Sequence, residues 1–242
     1  MAQNIYDTPE FFEGYSRLDR SVRGLDGGPE WPALRALLPD MRGRRLLDLG
    51  CGFGWIARWA VEQGAAGALG VDLSENMLAR ARAETADGRI RYLKADLETI
   101  DLPTESFDVI VSSLALHYVQ DFARLAGQAF GSLVSGGRFV FSIEHPIYMA
   151  SMRPEWLTTA DGERTWPVDH YAIEGPRVTD WLAKGVQKQH RTLSTTLNAL
   201  IDAGFSIRRL EEWSPTADEV AARPSLRDEL DRPMMALVAA RK

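Results

Sequence analysis

The chain has 242 residues, more than a minimal domain and short of two, with 45% hydrophobic and 26% charged residues, the balance of an ordinary globular fold. Its 28 basic and 34 acidic residues leave a net charge of −6, which disfavours a dedicated nucleic-acid or anionic-membrane binder, since phosphate binding draws on clustered Lys and Arg. The one cysteine, Cys51, excludes an intramolecular disulfide and a multi-thiolate metal site and fits a reducing compartment.

The opening residues MAQNIYDTPE show no basic region followed by an apolar stretch, and no apolar run reaches the ~18 residues that span a bilayer. A soluble, cytoplasmic protein is expected. Residues 1–43 read as an aromatic, partly helical lead-in with Phe11, Phe12, Tyr15 and Trp31, punctuated by Pro29, Pro32 and Pro39.

From Arg44 short apolar runs alternate with stretches of helical spacing, the pattern of βα units around a parallel sheet. The runs are Leu46–Leu49, Ala68–Leu73, Ile90–Leu93, Phe107–Val111 and Arg138–Ile143. Between them the spacing predicts helices over Trp55–Glu62, Glu75–Glu84 and Phe122–Val134, with Ser74 as an N-cap and Gly64 as a helix stop. After Ile143 the rhythm lapses through a segment rich in Pro, Trp and His. A helix over Thr192–Ala203 and two strands, Phe205–Leu210 and Met234–Ala240, close the chain. Without a helix-sized apolar crossover between them, the two strands are expected to pair antiparallel at a sheet edge.

The sharpest local feature is Leu46-Leu47-Asp48-Leu49-Gly50-Cys51-Gly52-Phe53-Gly54, a strand entering a glycine turn ahead of a helix. A dinucleotide fingerprint would place its third glycine five residues after the first. Trp55 stands there instead, and Gly54 comes one residue early. Asp48 sets a carboxylate before the loop, where it would repel a pyrophosphate and attract a cationic group. A nicotinamide oxidoreductase is therefore disfavoured against a nucleoside carrying an amino-acid tail. Asp72, twenty residues beyond Gly52, has the spacing of an acid that takes ribose hydroxyls. Asp96 ends the third strand, where it could accept from an adenine amino group while the Leu97 backbone reads the ring edge.

The ordered strings LLDLGCGFG, VDLSENML, KADLE, FDVIVSSLALHYV and LVSGGRFVFS resemble the class I S-adenosylmethionine-dependent methyltransferases, and among them bacterial members of the methyltransferase type 11 group. The resemblance implies a Rossmann-like, mostly parallel seven-stranded sheet with an antiparallel C-terminal strand and helices on both faces. It implies S-adenosylmethionine as cofactor and S-adenosylhomocysteine as product. By position, Asp48, Gly50 and Gly52 would hold the methionine moiety, with the small Cys51 between the glycines of the cofactor site, Asp72 the ribose, Leu73 and Met77 the adenine face, and Asp96 and Leu97 the adenine edge. Ser112, Ser113 and Leu114 would line the methyl exit, with Tyr15 in a lid. No metal site is implied. A non-catalytic cofactor-binding module of the same fold is the alternative.

The expected organisation is one domain: lead-in 1–43, cofactor core 44–144, substrate cap 145–190 inserted after the fifth strand, and 191–242 completing the sheet. Small-molecule methyl transfer by in-line displacement needs alignment, exclusion of water and, for some acceptors, a base. Histidine is the natural candidate. His117 and His145 follow predicted strand ends, and His190 opens the late helix; these three are the candidate bases, ahead of His170. A small-molecule acceptor is expected, with no nucleic acid or membrane partner, and a monomer or homodimer.

Overall fold

A computed structural model describes residues 3–242. A single turn at Ile5–Asp7 leads into α1 (Pro9–Ser16), α2 (Asp19–Val22) and α3 (Trp31–Leu37). The alternating region then gives β1 (Arg45–Leu49), α4 (Trp55–Glu62), β2 (Gly67–Asp72), α5 (Glu75–Ala83) and β3 (Ile90–Lys94). It continues through β4 (Phe107–Ser113), α6 (Phe122–Ser132) and β5 (Leu133–Glu144).

An insertion follows: α7 (Pro146–Met149), a short hairpin of β6 (Leu157–Thr158) and β7 (Arg164–Thr165), and a longer one of β8 (Gly175–Trp181) and β9 (Ala183–His190). The remainder is α8 (Leu193–Asp202), β10 (Ser206–Trp213), α9 (Ala217–Ala222), α10 (Asp228–Asp231) and β11 (Met235–Arg241).

Seven strands form one sheet in the order β10-β11-β5-β4-β1-β2-β3. The five from β5 to β3 are parallel, while β11 runs antiparallel to both β5 and β10. The expected mostly parallel sheet with an antiparallel C-terminal pair is present.

The continuous apolar runs have a direct cause, because adjacent residues point to opposite faces and both faces are covered. Leu47, Ile110 and Phe139 enter the core beneath α6 and α8, whereas their neighbours Leu46, Val109 and Val140 enter the core beneath α3 and α4. Ser74 caps α5 by accepting from the Met77 amide at 3.1 Å. Gly64 ends the turn after α4 at φ 92°.

The order reverses between β1, which leads outward to β2, and β4, which leads to β5. Such a switch point opens a crevice at the carboxyl ends of the strands. Asp48, Asp72, Ser113 and Glu144 all lie at or next to those ends.

Some boundaries differ from the sequence expectation, as in the strand expected at Phe205–Leu210, which runs Ser206–Trp213. The fifth strand begins at Leu133 rather than Arg138, shortening the helix before it to Ser132. The segment after Glu144, expected to be irregular, carries the two hairpins.

Candidate functional site

The loop after β1 is shaped by glycine. Gly50 has φ 75°, and a Cβ there would lie 2.2 Å from the Ala115 Cβ, so the first βα turn and the turn after β4 touch at a point only glycine fits. Gly52 has φ 51°, yet a Cβ there would meet nothing within 4 Å. The one glycine serves close packing; the other borders open space. The Gly52 amide donates to Asp72 Oδ2 at 2.8 Å, and the Ser74 amide to Asp72 Oδ1 at 2.9 Å, locking the carboxylate across the mouth of the loop.

Three adjoining cavities surround this crevice. The first, about 770 Å³, is lined by Gly50, Gly52, Asp72, Leu73, Met77, Asp96, Leu97, Ser113 and Leu114, with Asn4 and Tyr6 from the lead-in. The second holds Asp48, Cys51, Arg20, Ser21, Glu30 and Trp55. The third, about 950 Å³, is bounded by Glu144 at the end of β5, Leu114, His117 and Tyr118 from the turn after β4, Arg20 from the lead-in, and Tyr148, Trp181 and Lys188 from the insertion. Tyr15 and Ser113 line all three.

The second cavity carries unmet polar demand. Asp48 is 1% exposed, and among the described residues its Oδ2 has no partner, nor do Ser21 Oγ, Glu30 Oε2 and Trp55 Nε1, all buried. Burial, with repulsion from Asp72, pushes the Asp48 carboxyl up to about 8. Arg20 donates to Glu30 Oε1 at 2.9 Å. Buried acceptors and donors without partners cost free energy until something supplies them. A group with both an ammonium and a carboxylate matches this set.

In the third cavity Lys188, 3% exposed, donates to Glu144 Oε1 at 2.5 Å, and its Nζ sits 5.2 Å from the Trp181 ring centre. Glu144 Oε2 is buried without a partner among the described residues. His117 Nδ1 accepts from the Glu144 amide at 3.3 Å, which places the ring proton on Nε2. Burial, reinforced by the positive charges of Lys188, Arg191 and Arg20, holds this imidazole neutral, well below its usual pKa.

Leu114, between these cavities, adopts φ 51°, a strained conformation for leucine. Its amide donates to the Ser142 carbonyl at 3.0 Å and to Ser142 Oγ at 3.2 Å.

Comparison with known proteins gives this geometry a context. A family model described as a methyltransferase domain matches residues 47–141. The crystal structure of an S-adenosylmethionine-dependent methyltransferase from Mesorhizobium loti is 61% identical, superposes with a TM-score of 0.88, and covers 90% of this chain and 100% of its own. The chain belongs to the S-adenosylmethionine-dependent methyltransferases. An uncharacterised protein of Haemophilus influenzae is 36% identical over 99% of this chain and 97% of its own length. A malonyl-[acyl-carrier protein] O-methyltransferase of Enterobacter lignolyticus is 34% identical over 51% of this chain and 48% of its own.

The residues of this methyltransferase fit the family's cofactor. The open space over Gly52 and the unpartnered atoms in the second cavity are what an adenosyl group with a zwitterionic tail would fill and satisfy. Of the residues expected to bind it, Gly50, Gly52, Asp72, Leu73, Met77, Asp96, Leu97, Ser113, Leu114 and Tyr15 line the first cavity, and Asp48 and Cys51 the second. Ser112 is turned away: it is fully buried and donates to the Leu49 carbonyl at 2.6 Å, tying β4 to β1.

The histidines divide. His117 reaches the third cavity. His145 does not: its Nδ1 caps α7 by accepting from the Ile147 amide at 3.0 Å, and its Nε2 therefore donates to Glu212 Oε1 at 2.8 Å. His190 Nε2 donates to the Tyr171 carbonyl at 2.9 Å, and that ring is not among the residues lining these cavities. Arg20, Glu30, Tyr118, Glu144 and Lys188 also line these cavities, and of these only Tyr118 lies in a motif legible from the sequence.

Proposed function

We propose that this methyltransferase moves a methyl group to a small-molecule acceptor held in the third cavity, beneath a cap made from the lead-in and residues 145–190. The single observation that carries this reading is the convergence of all three cavities on Tyr15 and Ser113, which gives one cavity for each half of the cofactor and one for a second molecule. When bound, S-adenosylmethionine supplies an electrophilic methyl on a sulfonium, and the transfer is an in-line displacement that depends chiefly on alignment.

The protein's work is then positional. Asp72 would hold the ribose, its two oxygens already fixed by backbone amides. Asp48 and Trp55 would hold the tail, and Asp96 with Leu97 the base. Tyr15 and Leu114 would close the space around the reacting atoms and exclude water. The net charge of −6 supports a small acceptor over a polyanion, and a partial relative named for O-methylation supports oxygen as the atom modified.

Labelled-methyl transfer from S-adenosylmethionine into a fractionated metabolite extract tests the reading. Label is expected in a small, protein-free product; label confined to protein or nucleic acid refutes it. Asp72→Ala should weaken S-adenosylhomocysteine binding by roughly 10-fold or more, as expected when a buried, charge-assisted contact worth ~1.5–3 kcal/mol is lost. Unchanged affinity would refute the ribose assignment.

A further inference from the structure

The third cavity ends in a polar cluster that is incomplete. Ser113 of β4 pairs with Ser142 of β5, and residues two apart on a strand share a face. Glu144 therefore projects on the same side as Ser142, whose Oγ takes the Leu114 amide beside the predicted methyl position. Glu144 Oε1 is held by Lys188, and Oε2 is buried with no donor. Lys188 has three N–H groups, and among the described residues Glu144 is its one hydrogen-bond partner. The cluster thus has an acceptor to fill and donors to spare.

Building on the small-molecule reading above, we propose that Glu144 is the catalytic proton acceptor for a phenolic hydroxyl, with Lys188 and the His117 Nε2–H orienting the acceptor oxygen. A hydroxyl offers one proton and two lone pairs, which matches one empty carboxylate oxygen and neighbouring donors. The lining holds two carboxylates, Asp19 and Glu144, beside two cations, Arg20 and Lys188, and a protonated amine offers no lone pair for the methyl group.

The cavity walls favour a flat ring. Tyr6, Tyr15, Tyr118, Tyr148 and Trp181 all face it, and aromatic faces pack on aromatic faces. Phenols ionise near 10, within reach of a carboxylate as the C–O bond forms, whereas aliphatic alcohols are far weaker acids.

The step balances. The acceptor oxygen forms a bond to the methyl carbon while the methyl–sulfur bond breaks, and that electron pair returns to sulfur. The O–H proton passes to Glu144 Oε2. The sulfonium charge and the carboxylate charge disappear together, leaving a thioether, an aryl methyl ether and a neutral glutamic acid.

The test uses the intact protein saturated with S-adenosylhomocysteine and a panel of simple phenols (phenol, catechol, 4-ethylphenol), their methyl ethers and the matching benzylamines. By calorimetry or ligand-observed NMR, phenols should bind about 10-fold more tightly than their ethers, the discrimination expected from one buried charge-assisted hydrogen bond. Glu144→Gln should shrink that ratio to about 2-fold. Glu144→Gln with Lys188→Met removes both charges together, so a folded double variant guards against loss through an uncompensated buried charge.

With labelled S-adenosylmethionine, single-turnover transfer to a phenol should fall about 100-fold in Glu144→Gln, while S-adenosylhomocysteine affinity stays within about 2-fold. Benzylamines binding best, ethers binding as well as phenols, or wild-type transfer by Glu144→Gln would overturn the proposal. Transfer to some other extract component without phenol discrimination defeats this inference alone. No transfer to any small molecule defeats the function proposed above as well.

Discussion

Asp48 is the residue whose chemistry reports most directly on the site. Burial and repulsion from Asp72 push its carboxyl up to about 8 from the ordinary 3.8, so at pH 7 it is mostly protonated. A cationic tail seated against it needs the carboxylate, and binding must release that proton. Calorimetry of S-adenosylhomocysteine binding at pH 7, in buffers of different ionisation heat, should give release approaching one proton; Asp48→Asn should give close to none. The same shift sets a stability trend. The folded chain keeps a proton that the unfolded chain has lost between its ordinary value and about 8, so this group's contribution to stability falls as pH rises through that window and is flat above it. The Asn variant should lose that component of the slope.

The two loop glycines should separate folding from binding. Gly50→Ala combines a left-handed alanine with a Cβ 2.2 Å from Ala115. It should cost about 2–4 kcal/mol, from the ~1–2 kcal/mol of left-handed backbone and a similar overpacking term. Adding Ala115→Gly should recover the packing part. Gly52→Ala carries only the backbone cost, because a Cβ there meets no atom within 4 Å. Its thermal stability should change by a few degrees while S-adenosylhomocysteine affinity falls about 10-fold or more, since the methyl group occupies ligand space. Equal losses in both measurements would place Gly52 in the packing instead.

At the scale of elements, the lead-in is tied down across the site at several points, among them the Tyr6 hydroxyl on the Tyr118 hydroxyl at 3.2 Å. Asp7 accepts from the Ser74 hydroxyl and from the amides of Glu75 and Asn76 at the start of α5. Although burial works against ionisation, these bonds and one from Asn4 hold its carboxyl below the usual range. An anion over the exposed amides of a helix start is stabilising by about 0.5–2 kcal/mol. Gln3 donates to the Gly185 carbonyl at 2.9 Å and accepts from the Gln187 amide at 2.9 Å, joining the lead-in to the β8–β9 hairpin. Asp7→Ala should therefore raise both the on-rate and the off-rate of S-adenosylhomocysteine in stopped-flow measurements, with the larger change in the off-rate. Unchanged rates would mean that the lead-in does not cover the cofactor mouth.

Elements also show where the sequence could and could not be read. The helix over Trp55–Glu62 and the strand cores were legible because apolar periodicity is the trace that burial leaves. The β8–β9 hairpin was not, although it alternates as a strand should: Val186, Lys188 and His190 point inward, as does Arg177 opposite. Three of those four inward residues are polar or charged, so a period of two in burial became no period in hydropathy. The same cause hid half of the candidate site. The cofactor loop is contiguous and lies inside one motif, whereas Glu144 and Lys188 are 44 residues apart and meet only because the hairpin folds back over β5.

For the whole molecule, the two layers of core share one sheet, and damage to it should be felt at the site. Phe139 is fully buried, with the rings of Phe141 and Phe205 at 4.9 and 5.8 Å. Phe139→Ala should cost about 3–5 kcal/mol, a large share of the ~5–15 kcal/mol that separates native from unfolded chains. Denaturant titration should show this loss, and S-adenosylhomocysteine at about 100 times its Kd should return ~2.7 kcal/mol by mass action.

The place of β11 has a consequence for how the chain is made. This strand is the last in sequence but lies inside the sheet, between β5 and β10, and six of its seven residues are buried. During synthesis the cofactor loop, β4 and β5 all leave the ribosome well before it. Until β11 emerges, β5 presents an unpaired apolar edge, the kind of surface on which nascent chains associate wrongly. Assembly of the sheet therefore waits on β11, and a chain interrupted before Met235 is left with a gap between β5 and β10.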